Sequence, residues 1–99
     1  MQTYVIRRRS NWKDAAELEA AAGRSAQVGD VQMPGKVRWI RSYVVSEPDG
    51  RLGTVCIYQA TDPEAIRDHA QRSGMQADEI FPVAQTTIVR EDPAERAAA

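Results

Sequence analysis

Residues 37–59 read VRWIRSYVVSEPDGRLGTVCIYQ, and this stretch decides the fold. Two runs rich in Val, Ile, Trp and Tyr, residues 37–45 and 54–59, have the composition of β-strands. Between them stands Pro48-Asp49-Gly50, in which Pro presets φ, Asp supports the turn and Gly tolerates positive φ. The stretch therefore predicts two antiparallel strands joined by a hairpin.

A strand and a helix are predicted before the hairpin, and a helix and a strand after it. Thr3–Arg8 has the pattern of a strand, and Lys13–Val28 is rich in the helix formers Ala, Glu and Leu. Thr61–Glu64 offers a capping oxygen and an early Pro, which begin a second helix that Gly74 ends. The β-rich run Gln85–Val89 predicts the fourth strand. The order β-α-β-β-α-β indicates an α+β, ferredoxin-like fold with a four-stranded antiparallel sheet.

The length of 99 residues is typical of one domain. We predict a single ferredoxin-like domain over residues 1–91 and a flexible C-terminal tail over residues 92–99. A chain of this size buries only about 60–70% of its unfolded surface, so an uncovered sheet face favours self-association. We therefore expect a homodimer, in the form of a dimeric α/β barrel.

Composition limits the partners and the compartment. The formal net charge of −1 provides no long-range field to attract nucleic acid or an anionic membrane, and we expect neither as a partner. The single cysteine, Cys56, excludes an internal disulfide and suits a reducing compartment. No apolar run approaches the length that crosses a bilayer. We expect a cytoplasmic protein.

The register of the hairpin determines which side chains share a sheet face. A loop centred on Asp49-Gly50 places Tyr43 opposite Cys56 and Arg41 opposite Tyr58. One face then carries aromatic and polar side chains, namely Trp39, Arg41, Tyr43, Cys56 and Tyr58. The other face is mostly aliphatic and carries Arg38, Ile40, Ser42, Val44, Val55, Ile57 and Gln59. A one-residue bulge in the loop would undo this assignment.

The second helix presents the only histidine of the chain to the sheet. Its inward face follows the i, i+3, i+4, i+7 rule with Ile66, His69, Ala70 and Ser73. With the aromatic face beneath the helices, His69 meets Arg41, Tyr43, Cys56 and Tyr58 in a pocket, and the aliphatic face packs against a second subunit. With the faces reversed, His69 packs on aliphatic side chains and the aromatic face is the interface. We favour the first arrangement.

Several segments together resemble a family of small bacterial proteins typified by a nickel-binding protein and formally a domain of unknown function. They are Val37–Val44 (VRWIRSYV), Val55–Ala60 (VCIYQA) and Pro63–Ala70 (PEAIRDHA), followed by Arg72, Gly74, Ala77-Asp78 and Ile80. The resemblance extends over residues 3–90 and is densest over residues 37–80. It implies a ferredoxin-like homodimer with a nickel-linked role, and nickel or another divalent metal as the ligand.

The chain departs from this family at two places. Family members often carry His where this sequence has Arg41, and a guanidinium is not a metal ligand. They tend to carry acidic residues where this sequence has Arg7, Arg8 and Arg9, which removes oxygen ligands. These three arginines lie near Trp12, and with the neutral charge balance we expect a solvated strand end rather than a nucleic-acid site.

Each candidate site residue has a functional and a structural interpretation. His69 is a metal ligand or proton-transfer group, or a hydrogen-bonded core histidine. Cys56 is a soft metal ligand or a reactive thiol, or else a small apolar core residue. The core residue is favoured because no obvious base stands beside Cys56 to activate the thiol. Arg41, if buried, needs an anionic partner, which is a ligand or one of Asp68 and Glu79.

Three functions follow from these residues. The first is a cytoplasmic, dimeric binding protein that holds a divalent metal, with His69 and Cys56 as ligands, or that has lost this ability through Arg41. The second is a cofactor-free enzyme with His69 as acid or base and Arg41 holding an anionic oxygen of a small aromatic or polyketide-like substrate. The pocket in either case is lined by Trp39, Tyr43, Cys56 and Tyr58. The third is a dimeric interaction module without a ligand. No P-loop, Ser-His-Asp order, paired-carboxylate motif or HExxH motif is present.

Overall fold

The computed structural model describes residues 1–93. Its elements follow the chain as β1 (Gln2–Trp12), α1 (Ala15–Gln27), a π-helical turn (Val28–Gln32), β2 (Val37–Ser46), β3 (Leu52–Ala60), α2 (Pro63–Ser73) and β4 (Glu79–Pro82). The four strands form one antiparallel sheet in the order β2-β3-β1-β4. The predicted α+β, ferredoxin-like fold is confirmed. Residues 94–99 of the predicted tail lie outside the described part of the chain.

Both helices begin at an aspartate whose carboxylate caps a free backbone N–H. Asp14 accepts from the Glu17 N–H before α1, and Asp62 accepts from the Ala65 N–H before α2, where Pro63 takes the first position. Gly74 ends α2 in the left-handed conformation, with φ of 71°. Within residues 1–93, neither helix has the length and apolar content needed to cross a membrane.

The fourth strand lies earlier in the chain than predicted. β4 covers Glu79–Pro82 and pairs with β1, whereas the predicted strand over residues 85–89 is exposed and irregular. Ile80 packs on the buried core, and Pro82 is tolerated because this strand is at the sheet edge. The prediction was wrong because β propensity depends on burial, and the run over residues 85–89 has no core to pack against.

The hairpin register is shifted by one residue from the predicted one. The loop is Pro48-Asp49-Gly50, with Gly50 at φ of 84°, so Ser42 lies opposite Cys56 and Tyr43 opposite Val55. The predicted pairs of Tyr43 with Cys56 and of Arg41 with Tyr58 are therefore wrong.

A second shift in register, within β2, places Trp39 on the helix-covered face of the sheet, as predicted. The register shifts between Trp39 and Arg41, so Trp39 still pairs with Tyr58 while Arg41 pairs with Ile57. Trp39, Cys56 and Tyr58 consequently share the face beneath the helices. Arg41 and Tyr43 lie on the opposite face.

The core lies between that face and the two helices. Its largest members include Tyr4, Ile6, Tyr58 and Ile66. The inward face of α2 is confirmed, because Ile66, His69, Ala70 and Ser73 are all buried.

Candidate functional site

A cleft of about 290 Å³ lies between α1 and the sheet. Its floor is made of buried side chains, namely Arg8, Trp12, Ser25, Thr54, Cys56 and Tyr58. Its rim is exposed and consists of Glu19, Trp39 and Val44, with Leu18, Ala22, Ser42 and Met75 between floor and rim. Apolar walls around a few polar groups are typical of small-molecule binding sites. We call this feature the cleft.

The cleft exists because α1 presents small side chains to the sheet at this point. Ala22 and Ser25 lie one turn apart on the face of α1 that lines the cleft. The facing wall is aromatic, with the rings of Trp39 and Tyr58 stacked at a centroid distance of 6.1 Å and an interplanar angle of 7°. Flat rings on one side and small side chains on the other leave a slot.

Arg8 places a positive charge in the floor of this slot. Its side chain is 1% exposed, because Tyr4, Ile6 and Arg8 alternate onto the core face of β1. Nη1 donates to the Gln76 carbonyl at 3.2 Å, while Nη2 is buried without a hydrogen-bond partner. The guanidinium carbon lies 5.9 Å from the centroid of the Tyr58 ring. The expected solvated strand end is wrong for Arg8.

The arginines on either side of Arg8 are neutralised by carboxylates, and Arg8 is not. Arg7 pairs with Glu47 at 2.8 Å, and Arg9 pairs with Glu79. No carboxylate of residues 1–93 lies within 4.0 Å of the Arg8 nitrogens. A buried guanidinium without a carboxylate partner lowers the stability of the folded protein, and it is the one cationic side chain among the described residues that line the cleft.

His69 lies behind the cleft floor rather than in its wall. It is 1% exposed, and its Nε2 lies 3.0 Å from the Ser25 carbonyl oxygen. A carbonyl only accepts, so Nε2 carries the proton and Nδ1 carries the lone pair, which is buried without a partner. Burial lowers the pKa of His69, and Arg8 lowers it further, against the opposing effect of the Ser25 hydrogen bond. The ring is therefore neutral near pH 7.

Ser25 connects His69 to the cleft. Its Oγ lies 2.9 Å from the Tyr58 hydroxyl and 3.4 Å from His69 Nε2. The Tyr58 ring also meets the His69 ring edge-on at 5.3 Å. Burial raises the pKa of Tyr58, so its hydroxyl stays protonated. These contacts of Ser25 and His69 hold the Tyr58 ring in place in the aromatic wall of the cleft.

Cys56 lines the cleft as a thiol held by hydroxyl groups. Its Sγ accepts from the Ser42 hydroxyl at 3.0 Å and donates to Thr54 Oγ1 at 3.2 Å. Neither neighbour is a base that would generate a thiolate. The sequence-based preference for a structural cysteine agrees with these contacts.

The predicted metal ligands do not form a metal centre with the other residues that the structure describes. His69 and Cys56 have the separate hydrogen-bond partners described above, and no carboxylate of residues 1–93 lies in the cleft floor. Among residues 1–93, no group of three or more His, Cys, Asp or Glu side chains is arranged to hold a metal ion. A stable nickel or zinc site needs more donors than these two, so the donors present in residues 1–93 do not fit the metal.

Arg41 and Tyr43 do not join His69. Arg41 is exposed rather than buried, and its Nη1 lies 3.4 Å from Asp92 Oδ2 on the far face of the sheet. The Tyr43 hydroxyl donates to the same carboxylate at 2.6 Å. The enzyme hypothesis required His69 and Arg41 in one cavity, and the sheet separates them.

The partners predicted for Arg41 are also different. Asp68 binds Arg72 at 2.9 Å, and Glu79 binds Arg9. Of the predicted pocket residues, Trp39, Cys56 and Tyr58 line the cleft, and Tyr43 does not. Sequence reasoning missed Arg8, although the alternation of β1 contained the signal for it.

Comparisons with known proteins agree with this fold. The family described as "Nickel responsive protein SCO4226-like" matches residues 4–83. The chain is also similar to the crystal structure of SCO4226 from Streptomyces coelicolor A3(2), with a TM-score of 0.66 and 19% sequence identity over 86% of this chain and 99% of that chain. At this identity the structural likeness shows the fold alone. A search of curated proteins returned no match.

Proposed function

The chain belongs to the SCO4226-like family of nickel-responsive proteins, and from that premise we propose that it is a cytoplasmic homodimer that binds a small, largely apolar molecule in the cleft. The observation that carries the proposal is the cleft itself, with a buried floor and an exposed aromatic rim. Its volume of about 290 Å³ is at the lower end of the range of small-molecule sites.

Binding is favoured over catalysis by the state of the polar groups around the cleft. A catalytic nucleophile or base needs an activated group within reach of the substrate. The Cys56 thiol has only hydroxyl partners. His69 lies behind Ser25 and Tyr58, outside the lining of the cleft.

The homodimer is supported by the face of the sheet that carries no helix. Both helices pack on the sheet face that carries Tyr58, and Tyr58 contacts Ser25 on α1 and His69 on α2. The opposite face presents a row of apolar side chains on paired strands, namely Val5, Tyr43, Val55, Ile57 and Phe81. Apolar patches of this kind mark association surfaces, and a two-fold axis buries the same row on both copies.

The cleft proposal is tested with a neutral fluorescent dye and a variant that fills the slot. N-phenyl-naphthylamine is expected to bind the wild type saturably, with one site per chain. Ala22→Phe places a ring in the cleft and is expected to weaken dye binding at least about tenfold. Ala20→Phe is the matched control, because Ala20 is exposed and does not line the cleft. Circular dichroism establishes that both variants are folded. Absent binding to the wild type, or equal binding to Ala22→Phe, overturns the proposal.

Nickel is the second candidate ligand, and family membership is the observation that favours it. The bare, buried Nδ1 of His69 is one suitable donor, and among residues 1–93 it belongs to no group of three or more His, Cys, Asp or Glu side chains that could hold a metal ion. Calorimetric titration with nickel chloride tests this candidate on wild type, His69→Gln and Cys56→Ser. Binding that disappears in His69→Gln supports it. Absence of binding to the wild type, or binding by both variants with the affinity of the wild type, overturns a site at these residues.

A further inference from the structure

Resting on the proposed function, we propose that the ligand of the cleft is an aromatic monocarboxylate whose carboxylate pairs with the buried guanidinium of Arg8. Arg8 lines the floor, is 1% exposed, and has a buried Nη2 without a partner. The guanidinium carries a permanent positive charge, and its planar fork matches the two oxygens of a carboxylate. An unpaired cation in this position is explained by an anion that arrives with the ligand.

The carboxylates of the chain near Arg8 are already committed to other groups. Glu47 binds Arg7 and accepts from the Ser10 N–H at 3.1 Å. Asp78 accepts from the Arg9 N–H at 2.6 Å. Glu19 is the carboxylate among the lining residues, and it stands exposed on the rim. The carboxylates near Arg8 among residues 1–93 are therefore bound to other groups. This leaves an anion from outside the protein as the partner for Arg8.

The number of cations in the floor favours a single negative charge on the ligand. Arg8 is the one Arg or Lys side chain among the described residues that line the cleft. A phosphate ester carries close to two negative charges at neutral pH, so one guanidinium would leave part of that charge unpaired in a partly buried site. A monocarboxylate is matched by one guanidinium.

The walls determine the body of the ligand. The parallel rings of Trp39 and Tyr58 and the buried indole of Trp12 offer flat apolar contacts, and aromatic rings favour stacked neighbours. The cleft, with a volume of about 290 Å³ and an open rim, is at the lower end of the range of small-molecule sites. This size suits a ligand built on one ring or two fused rings.

The test compares β-naphthoate with β-naphthamide, which has the same shape without the charge. Calorimetry on the wild type is expected to give at least about tenfold tighter binding of the acid. Arg8→Met is expected to abolish this preference while keeping the affinity for the amide. Arg9→Met is the matched control, because Arg9 is exposed and paired with Glu79, and it is expected to keep the preference.

The outcomes separate this inference from the proposed function. Equal affinities of the wild type for acid and amide, or a preference that survives in Arg8→Met, overturn the carboxylate and leave the cleft intact. Binding of the neutral dye without binding of either naphthyl compound also overturns the aromatic monocarboxylate. Absence of all three overturns both proposals.

A measurement on the unaltered protein guards against a variant that fails to fold. With isotope-labelled arginine, the side-chain N–H signals of Arg8 are expected to shift on addition of β-naphthoate and to stay in place with β-naphthamide. Identical shifts with both compounds, or none with either, contradict an ion pair at Arg8.

Discussion

Arg8 lies on the core-facing side of β1, where the two preceding inward positions carry the apolar side chains of Tyr4 and Ile6. Its charge has one hydrogen bond to a carbonyl, through Nη1, and no carboxylate among residues 1–93. Burial of a poorly compensated charge costs several kcal/mol, which apolar replacement recovers in part. The ligand-free protein is therefore less stable than its apolar variant at this position.

Arg8→Met is accordingly expected to raise the free energy of unfolding by about 1–2 kcal/mol. Urea denaturation of the ligand-free protein measures the change. Arg9→Met, at an exposed ion pair, is expected to change the same quantity by less than about 0.5 kcal/mol. Destabilisation by Arg8→Met would show that the guanidinium is compensated in the empty protein.

His69 connects stability to pH. Burial lowers its pKa in the folded protein below the ordinary value of 6.5, so the unfolded chain binds a proton at a higher pH than the folded protein does. The free energy of unfolding is then highest above about pH 6.5 and falls as the pH drops through that value towards the folded pKa.

His69→Gln is expected to remove this part of the pH dependence. Urea denaturation between about pH 5 and 8 compares the variant with the wild type, and the chain has one histidine, so no other imidazole contributes. If the difference in free energy of unfolding between the two proteins stayed constant over this pH range, it would contradict a lowered pKa of His69.

At the scale of elements, a kink in β1 carries the chain from the strand towards α1. The pairing of β1 with β3 shifts between Arg8 and Trp12, and Ser10 has a positive φ of 48°. Glu47 holds the kink by accepting from the Ser10 N–H and from Arg7. Gly53 in β3 passes so close that an added Cβ would meet the Arg8 carbonyl oxygen at 2.6 Å.

Gly53→Ala is therefore expected to lower the free energy of unfolding by about 1–3 kcal/mol, as overpacking does. Gly23→Ala is the matched control, because Gly23 lies in α1 with nothing within 4 Å of its added Cβ. That substitution is expected to raise the same quantity by about 0.5–1 kcal/mol through helix propensity. Thermal and urea unfolding measure both, and equal effects would contradict a close approach at Gly53.

The elements also show what the sequence could predict. The capping segment Thr61–Glu64 and Gly74 are local signals, and α2 lies where they placed it. The first helix begins at Ala15, two residues later than the predicted start at Lys13, because Asp14 is its cap. The hairpin register depends on whether Pro48-Asp49-Gly50 forms a loop of two or three residues, and both lengths suit these residues. That one-residue difference moved Arg41 and Tyr43 to the other face. The position of β4 depends on the packing of Ile80, which is a tertiary effect.

The candidate site, like the fold, was predicted in part from the sequence. Trp39, Cys56 and Tyr58 were placed together correctly, and His69 was placed correctly on the inward face of α2. Arg8 was missed because its neighbours Arg7 and Arg9 suggested a solvated charge run. Alternation along β1 outweighs that impression, since it leaves the middle arginine facing the core.

At the scale of the whole molecule, the two faces of the sheet are unequal. One is covered by both helices and contains the cleft. The other presents Ile57 and Val55 beside exposed Phe81 and Tyr43. We expect this second face to be the homodimer interface.

Ile57→Glu places a charge in the middle of that face and is expected to give a monomer with the chain mass of 11.0 kDa. Light scattering after size-exclusion chromatography measures the mass, and the wild type is expected at twice this value. Gln71→Glu, on the exposed side of α2, is expected to leave the dimer unchanged. A dimeric Ile57→Glu protein would place the interface elsewhere.

The aromatic composition of the cleft makes the protein its own optical sensor. The chain has two tryptophans, one buried in the floor at position 12 and one exposed on the rim at position 39. All of the tryptophan fluorescence therefore comes from the cleft, from one indole shielded from water and one exposed to it. A bound molecule displaces water from the entrance, and the emission maximum shifts to shorter wavelength without any attached label. Candidate compounds can thus be screened on the unmodified protein by its own ultraviolet fluorescence.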